Sequence, residues 1–276
     1  MPKMLRVTSR NALFQQMETA KRNREKRTKA KEFFLEGVHP IENAIRGGFA
    51  FSLIAYAGGK RLSGWAEDMI RRANPDALCE MDAALHAEIS DREEPCELIA
   101  MVKMRSDPLE AVRKRVLKTP NPFLVLFDRP SSPGNLGTVI RSADAFGAAG
   151  VLTTGHAADF YDPQCVRASI GTMFSVPFAA LENTEEALRF IRSMPVEMPL
   201  VGTSAHGTRT LPDVDFTSPF VLLIGNETFG LSKAWKERCG TLALIPIHGA
   251  ASSINAGCAA SICLYEAARQ RRFSNQ

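Results

Sequence analysis

Pro133-Gly134-Asn135-Leu136-Gly137-Thr138-Val139-Ile140-Arg141-Ser142-Ala143-Asp144-Ala145-Phe146-Gly147 is the stretch whose reading decides the fold. It follows an apolar run, Phe123 to Phe127, that reads as a buried strand. It then turns into a helix, with Asn135 placed as an N-cap and Ala143, Ala145 and Ala148 as good helix formers. A glycine-rich turn between strand and helix lets backbone approach a ligand closely, and a helix N-terminus favours anions. Arg141 stands six residues after Asn135, under two turns of helix. An amide and a fixed cation flanking one turn suit contact with a phosphate or a ribose.

Working outward, the same alternation recurs. The pattern predicts strands at 123–127, 150–153, 200–203, 220–224 and 242–245, and helices over 136–146, 185–193, 233–237 and 254–271. Near-continuous apolar strands alternating with helices argue an α/β domain with a mostly parallel sheet covered on both faces. Residues 105–121 carry Asp107-Pro108 and Pro120-Asn121-Pro122, and proline restricts both itself and its predecessor, so a boundary is expected there. The expected domains are 1–118 and 119–276. Within the first, 33–45 reads as strand, turn and helix, 49–56 as strand, 64–72 as helix and 98–104 as strand, a small α/β unit.

The N-terminal segment is expected to be one helix from about Asn11 to Phe34. Seven basic residues lie between Lys21 and Lys31, opposed only by Glu25. Lys21, Arg24 and Arg27 on such a helix would face RNA phosphates, the alternative being a solvated helix face. The formal charge of +4 over 276 residues permits nucleic acid as a partner without demanding it. Six cysteines form no CxxC pair and no paired metal-ligand spacing occurs, so reduced thiols in a cytoplasmic protein and no metal are expected. The N-terminus has no apolar signal core, and runs such as Phe220 to Ile224 are too short to cross a bilayer. GxGxxG is missing, and Gly225 to Gly230 has P-loop glycine spacing with Leu231 where the lysine belongs, which argues against dinucleotide and NTP chemistry.

Asn135-x-Gly137-x-x-x-Arg141 resembles the first motif of the SpoU (TrmH-type) RNA 2′-O-ribose methyltransferases. Leu223-Ile224-Gly225-Asn226-Glu227-Thr228-Phe229-Gly230-Leu231-Ser232 resembles the second. Ile245-Pro246-Ile247-His248-Gly249, with Ser253-Ile254-Asn255 and the helix reaching Tyr265-Glu266-Ala267-Ala268-Arg269, resembles the third. The three stand in order over about 140 residues. Leu35-Glu36-Gly37 with its following helix resembles the substrate-binding domain that precedes many SpoU catalytic domains and is folded like small RNA-binding ribosomal proteins. The resemblance implies an α/β-knot domain, S-adenosylmethionine as cofactor, methyl transfer to a ribose 2′-hydroxyl of rRNA or tRNA, and a homodimer through the catalytic domain.

By the same resemblance, Thr203 beside Gly202, Gly225, Ile245 and Ile254 are the expected cofactor residues, with absence of a Cβ at Gly225 admitting the cofactor. Arg141 would hold the phosphate next to the target ribose. Its guanidinium is a poor base, with a pKa above about 12, so orientation and electrostatic stabilisation are its expected work. Asn135 and Asn255 offer amides to the ribose or the loop backbone, Glu227 is the acidic residue of the second motif, and Arg167 sits in a segment expected to meet RNA. Ser253 is expected to cap the last helix. His248 occupies a variable position as a candidate base. Ser132 stands where the family often has Asp before the proline, and Ile254-Asn255-Ala256-Gly257 replaces Leu-Asn-Val-Ser. A non-catalytic RNA-binding protein and a base methyltransferase are the competing readings.

Overall fold

The computed structural model describes residues 2–90 and 92–273. The chain packs as two compact units, one reaching Ser106 and joined by Tyr161–Ser175, the other holding Asp107–Phe160 and the chain from Val176 onward.

The first unit runs β1 (Lys3–Val7), α1 (Ala12–Arg22), α2 (Arg24–Ala30), β2 (Glu32–Glu36), α3 (Val38–Arg46), β3 (Phe51–Ala57), α4 (Gly64–Ala73), β4 (Ala77–Met81), α5 (Ala83–Ile89) and β5 (Leu98–Lys103). Its sheet has the order β1-β4-β3-β5-β2, with the first two pairings parallel and the last two antiparallel. Phe14 and Met17 of α1 pack against Phe34, Leu53, Ile99 and Met101 to form its core.

The helix expected from Asn11 to Phe34 is broken at Asn23. That residue adopts extended backbone, and its side chain accepts from Lys26 N at 2.9 Å, capping α2. Two expected RNA contacts fall with it. Lys21 is buried, donates to Ile89 O at 2.6 Å and lies over the Phe34 ring. Arg27 is 2% exposed and donates to Ala20 O and Lys21 O at 2.8 and 3.1 Å, closing the C-terminus of α1. Neither head reaches solvent, so neither meets a phosphate. Arg24, Lys26, Lys29 and Lys31 are exposed.

The second unit runs α6 (Pro108–Lys118), β6 (Phe123–Asp128), α7 (Pro133–Ala145), β7 (Gly150–Thr154), then, after α8 (Pro163–Ala168) in the first unit, β8 (Phe178–Leu181), α9 (Thr184–Arg192), β9 (Leu200–Thr203), β10 (Arg209–Thr210), β11 (Phe220–Ile224), α10 (Lys233–Lys236), β12 (Thr241–Leu244) and α11 (Ala256–Phe273). Its seven strands have the order β10-β12-β9-β11-β6-β7-β8, and every pairing is parallel. β6, β7 and β11 are buried end to end, which is why they read as unbroken apolar runs.

The packing divides the chain at 106/107, where sequence placed 118/119. Val112 and Val116 of α6 belong to the core with Leu124, Leu152 and Ala179. Segment 161–175 is the other departure. Phe174 packs on the Phe33 and Phe49 rings at 6.0 and 5.0 Å, and Gly171 approaches Pro40 so closely that a Cβ would stand 2.8 Å from its Cα. From β6, one half of the second sheet continues through β7 to β8 and the other through β11 to β9 and β12. The C-terminal ends of β6 and β11 therefore flank the point where strand order reverses, where open α/β sheets bind ligands.

Candidate active site at the carboxyl ends of the parallel strands

Two turns leave that crevice, 128–132 after β6 and 225–231 after β11, and they are bound to each other. Asp128 is buried. It accepts from Thr154 Oγ1 at 3.1 Å, from Ser232 N at 2.8 Å and from both Nε and an Nη of Arg129 at 3.2 and 3.1 Å. Arg129 takes a left-handed φ of 51°, and its carbonyl accepts from Asn226 Nδ2 at 2.7 Å. Asn226 Oδ1 accepts from the Thr228 and Phe229 amides at 2.9 and 3.0 Å, and Asn226 and Gly230 exchange two backbone bonds. Gly225 is required by this turn itself. A Cβ there would lie 2.3 Å from the carbonyl carbon of Gly230 and the amide of Leu231. The glycine thus admits the returning chain, where sequence assigned the space to a cofactor.

Glu227 ties the second turn to the first. Oε2 accepts from Ser131 N and Oγ at 2.9 and 2.8 Å, and Oε1 accepts from Ser132 N and Asn135 Nδ2 at 3.0 and 3.1 Å. Burial pushes its carboxyl up, but the bonds from the Ser131 backbone, Asn135 and the Ser131 hydroxyl outweigh it and hold the carboxyl below its ordinary range. Asn135 in turn accepts from Asn255 Nδ2 at 2.9 Å, and Asn255 Oδ1 accepts from Gly257 N and Cys258 N at 2.8 and 3.2 Å. One polar chain, Glu227–Asn135–Asn255, therefore links the N-termini of α7 and α11.

This assigns the caps differently from sequence. Ser132, not Asn135, caps α7, accepting from Asn135 N at 3.2 Å, with Pro133 opening the helix. Asn255, not Ser253, caps α11. The Asn135 amide bonds within the protein at both ends, donating to Glu227 and accepting from Asn255.

Beside this chain lies a cavity of about 330 Å³ lined by Thr203, Gly225, Ile245 and Ile254, all four expected cofactor positions, together with Glu227. Ile224, Leu231 and Ala243 give its wall an apolar side, and His206 and Lys236 add polar groups. The volume falls in the range of small-molecule sites, roughly 300–1,000 Å³. Thr203 Oγ1 donates to Leu223 O at 3.0 Å, which commits its proton and leaves its oxygen to accept. His248 is exposed and stands outside the lining.

Arg141 projects from an exposed position of α7, and among the described residues no hydrogen bond or ion pair engages its guanidinium. Six residues of helix set it about 9 Å along the axis from Asn135. Arg167 lies on α8 in the first unit and is exposed. Sequence reasoning missed Asp128, Arg129, Asn226, Phe229 and Lys236. Only the positive φ of Arg129 and the side-chain bonds of Asn226 explain the turn, and neither has a sequence signature.

Residues 122–265 match the SpoU rRNA Methylase family, and residues 11–100 match the SpoU L30e-like domain. A 23S rRNA (uridine(2479)-2′-O)-methyltransferase of Streptomyces viridochromogenes is 45% identical over 275 residues, 98% of this chain and 94% of that protein. A 23S rRNA (guanosine-2′-O-)-methyltransferase of Coxiella burnetii is 34% identical over 59% of this chain and 63% of its own length. Among solved structures, the SpoU methyltransferase AviRb of S. viridochromogenes in complex with AdoMet superposes with TM-score 0.88 at 44% identity. That match covers 95% of this chain and 99% of the other. An AdoMet-bound rRNA methyltransferase of Sinorhizobium meliloti superposes with TM-score 0.85 at 30% identity, covering 96% and 98%.

Proposed function

Because the chain belongs to the SpoU rRNA methylase family, we propose that it is an S-adenosylmethionine-dependent methyltransferase acting on a ribose 2′-hydroxyl of ribosomal RNA. The observation that carries this reading is the convergence of all three motifs on one crevice. The first and second are bonded through Asn135 and Glu227, the third joins through Asn255, and the cavity opens beside them.

The cavity fits the cofactor by its chemistry. Its apolar wall of Ile224, Leu231, Ile245 and Ile254 suits a purine face, the strand ends supply backbone groups, and Lys236 suits a carboxylate. Bound S-adenosylmethionine supplies an electrophilic methyl group on a sulfonium. Thr203, Gly225, Ile245 and Ile254 would hold it. Glu227, Asn135 and Asn255 hold the two turns in register so that nothing need reorganise as the substrate arrives. Arg141 supplies a permanent cation with a planar fork of donors, which suits the phosphate beside the target ribose and stabilises negative charge as the 2′-oxygen attacks. The direct test maps 2′-O-methyl groups in rRNA from cells with and without the gene. One position should lose its mark. If no ribose position changes while a base methylation does, the base-methyltransferase reading takes over, and if neither changes, the protein is a non-catalytic binder.

The first unit is assigned to RNA through the exposed Arg24, Lys26, Lys29 and Lys31. Replacing these four by alanine should weaken RNA binding nearly independently of sequence and flatten the salt dependence. Each lost contact lowers the slope by roughly 0.7 on single-stranded RNA. Titrations at several salt concentrations check this, and an unchanged slope would make α2 a solvated face. Arg167 belongs to the same assignment.

The reading also includes a cytoplasmic homodimer. On α11, Cys258, Ile262 and Tyr265 form an exposed stripe at helical spacing, Ile262 being 40% and Tyr265 58% exposed. Ile262→Glu with Tyr265→Glu should halve the mass measured by light scattering. A wild-type monomer at micromolar concentration would remove the dimer.

A further inference from the structure

Phe229 is 76% exposed, more than any other large apolar side chain among the described residues. It is not on a loose loop. Its amide donates to Asn226 Oδ1 at 3.0 Å, and Asn226 and Gly230 exchange backbone bonds on either side of it. Asn226 Nδ2 fastens the turn to Arg129 O at 2.7 Å, and Glu227 fastens it to Ser131 and Ser132. The protein thus holds an aromatic ring in water on a turn fixed from three directions. A side chain that merely failed to find the core would not need such support. The ring also lines the cavity described above, with Ile247 and Ile254, each 36% exposed, at the same opening.

Sequence-specific recognition of RNA targets single-stranded loops and bulges, where a nucleotide is splayed out and its base has lost its stacking neighbours. RNA-binding proteins replace those neighbours with aromatic side chains. Resting on the function proposed above, we propose that Phe229 is the platform on which the base of the target nucleotide stacks. Its face substitutes for the lost neighbour and sets the ribose against the cavity mouth. Stacking is tolerant of base identity, so Phe229 positions the nucleotide and does not select it.

The test uses the full-length protein and in-vitro transcribed rRNA lacking modification. Phe229→Ala and Phe229→Leu should each lower kcat/KM for RNA roughly 10- to 100-fold, the range that loss of one base stack gives. Phe229→Tyr and Phe229→Trp should stay within a few-fold of wild type, because they keep a stacking face. Mass by light scattering should be unchanged in all four, and because the ring stands in the lining of the cavity, S-adenosylmethionine affinity by calorimetry should fall far less than kcat/KM for RNA. The indole emission that Phe229→Trp adds over wild type should be quenched when RNA is added. Three results would overturn the proposal: full activity in Phe229→Leu, a cofactor affinity in Phe229→Ala that falls as far as kcat/KM for RNA, which would make the ring's work the cofactor's alone, or a halved mass, which would make it a subunit contact. If the wild type itself methylates no ribose in rRNA, the function reading fails and this one with it. An active wild type with an indifferent Phe229 sinks this proposal alone.

Discussion

Arg141→Ala should abolish most methylation of RNA while leaving the protein folded and its cofactor affinity intact. The three parts of that expectation have separate grounds. Arg141 is exposed and engaged by no hydrogen bond or ion pair among the described residues, so its removal breaks nothing that holds α7, and thermal stability should stay within about 0.5 kcal/mol of wild type. It does not line the cavity, so S-adenosylmethionine should bind as before in calorimetry. Removing one donor that stabilises developing charge commonly lowers kcat by roughly 10²–10³. Arg141→Lys should recover little, because an ammonium is a point charge without the planar fork that grips a phosphate through two donors. A cofactor affinity reduced more than tenfold would place Arg141 at the cavity and undo its assignment to the RNA side.

What the chain disclosed before folding divides along a physical line. Buried parallel strands must be apolar throughout, and 123–127 and 220–224 were legible for that reason. The four residues that the resemblance proposes for the cofactor all line one cavity in the fold. Burial of charge was not legible. Seven cations between Lys21 and Lys31 look alike in sequence, yet Lys21 and Arg27 turn inward onto carbonyl groups while Arg24 and Lys26 stay out. The break at Asn23 decides this, and an asparagine inside a polar helical run carries no signal strong enough to predict a cap. The strands β1, β4 and β8 were missed because Lys3–Val7 and Ala77–Met81 mix polar and apolar residues and Phe178–Leu181 is only four long. Segment 161–175 escaped for a different reason: it packs with a unit from which it is distant in sequence.

The capping errors teach the same lesson at the site. Asn135 and Ser253 each have an N-cap side chain and a helix close behind, and local preference does not choose between neighbours that all qualify. Tertiary bonding chose: Glu227 takes up the Asn135 amide, which hands the cap to Ser132, and Asn135 takes up Asn255. The side chains of Asn135 and Asn255 thereby bond within the protein, while Arg141 and Phe229 stay exposed.

Glu227→Gln, although nearly isosteric, should be strongly damaging. Four donors converge on this carboxylate: Ser131 N, Ser131 Oγ, Ser132 N and Asn135 Nδ2. An amide replaces one acceptor by an NH₂ group, and either orientation sets that group against a backbone N–H, of Ser131 or of Ser132. Losing bonds to a charged acceptor and leaving a donor opposed should destabilise the catalytic unit by roughly 2 kcal/mol, reduced where water reaches the site. The two turns and the Asn135–Asn255 link then lose register, so activity and cofactor affinity should fall together, unlike in Arg141→Ala. The pH dependence identifies the cause. Hydrogen bonds hold the folded carboxyl below its ordinary value of 4.5, so the folded state binds the proton less readily than the unfolded state. The stabilisation is therefore complete above about 4.5 and is lost as pH falls through the folded value. The gap between wild type and Glu227→Gln in denaturant unfolding should be constant near neutrality and shrink in acid, where the protonated carboxyl and the amide are both neutral. A gap that persists undiminished at low pH would mean the loss comes from side-chain packing, and the charge on Glu227 would not be what holds the two turns together.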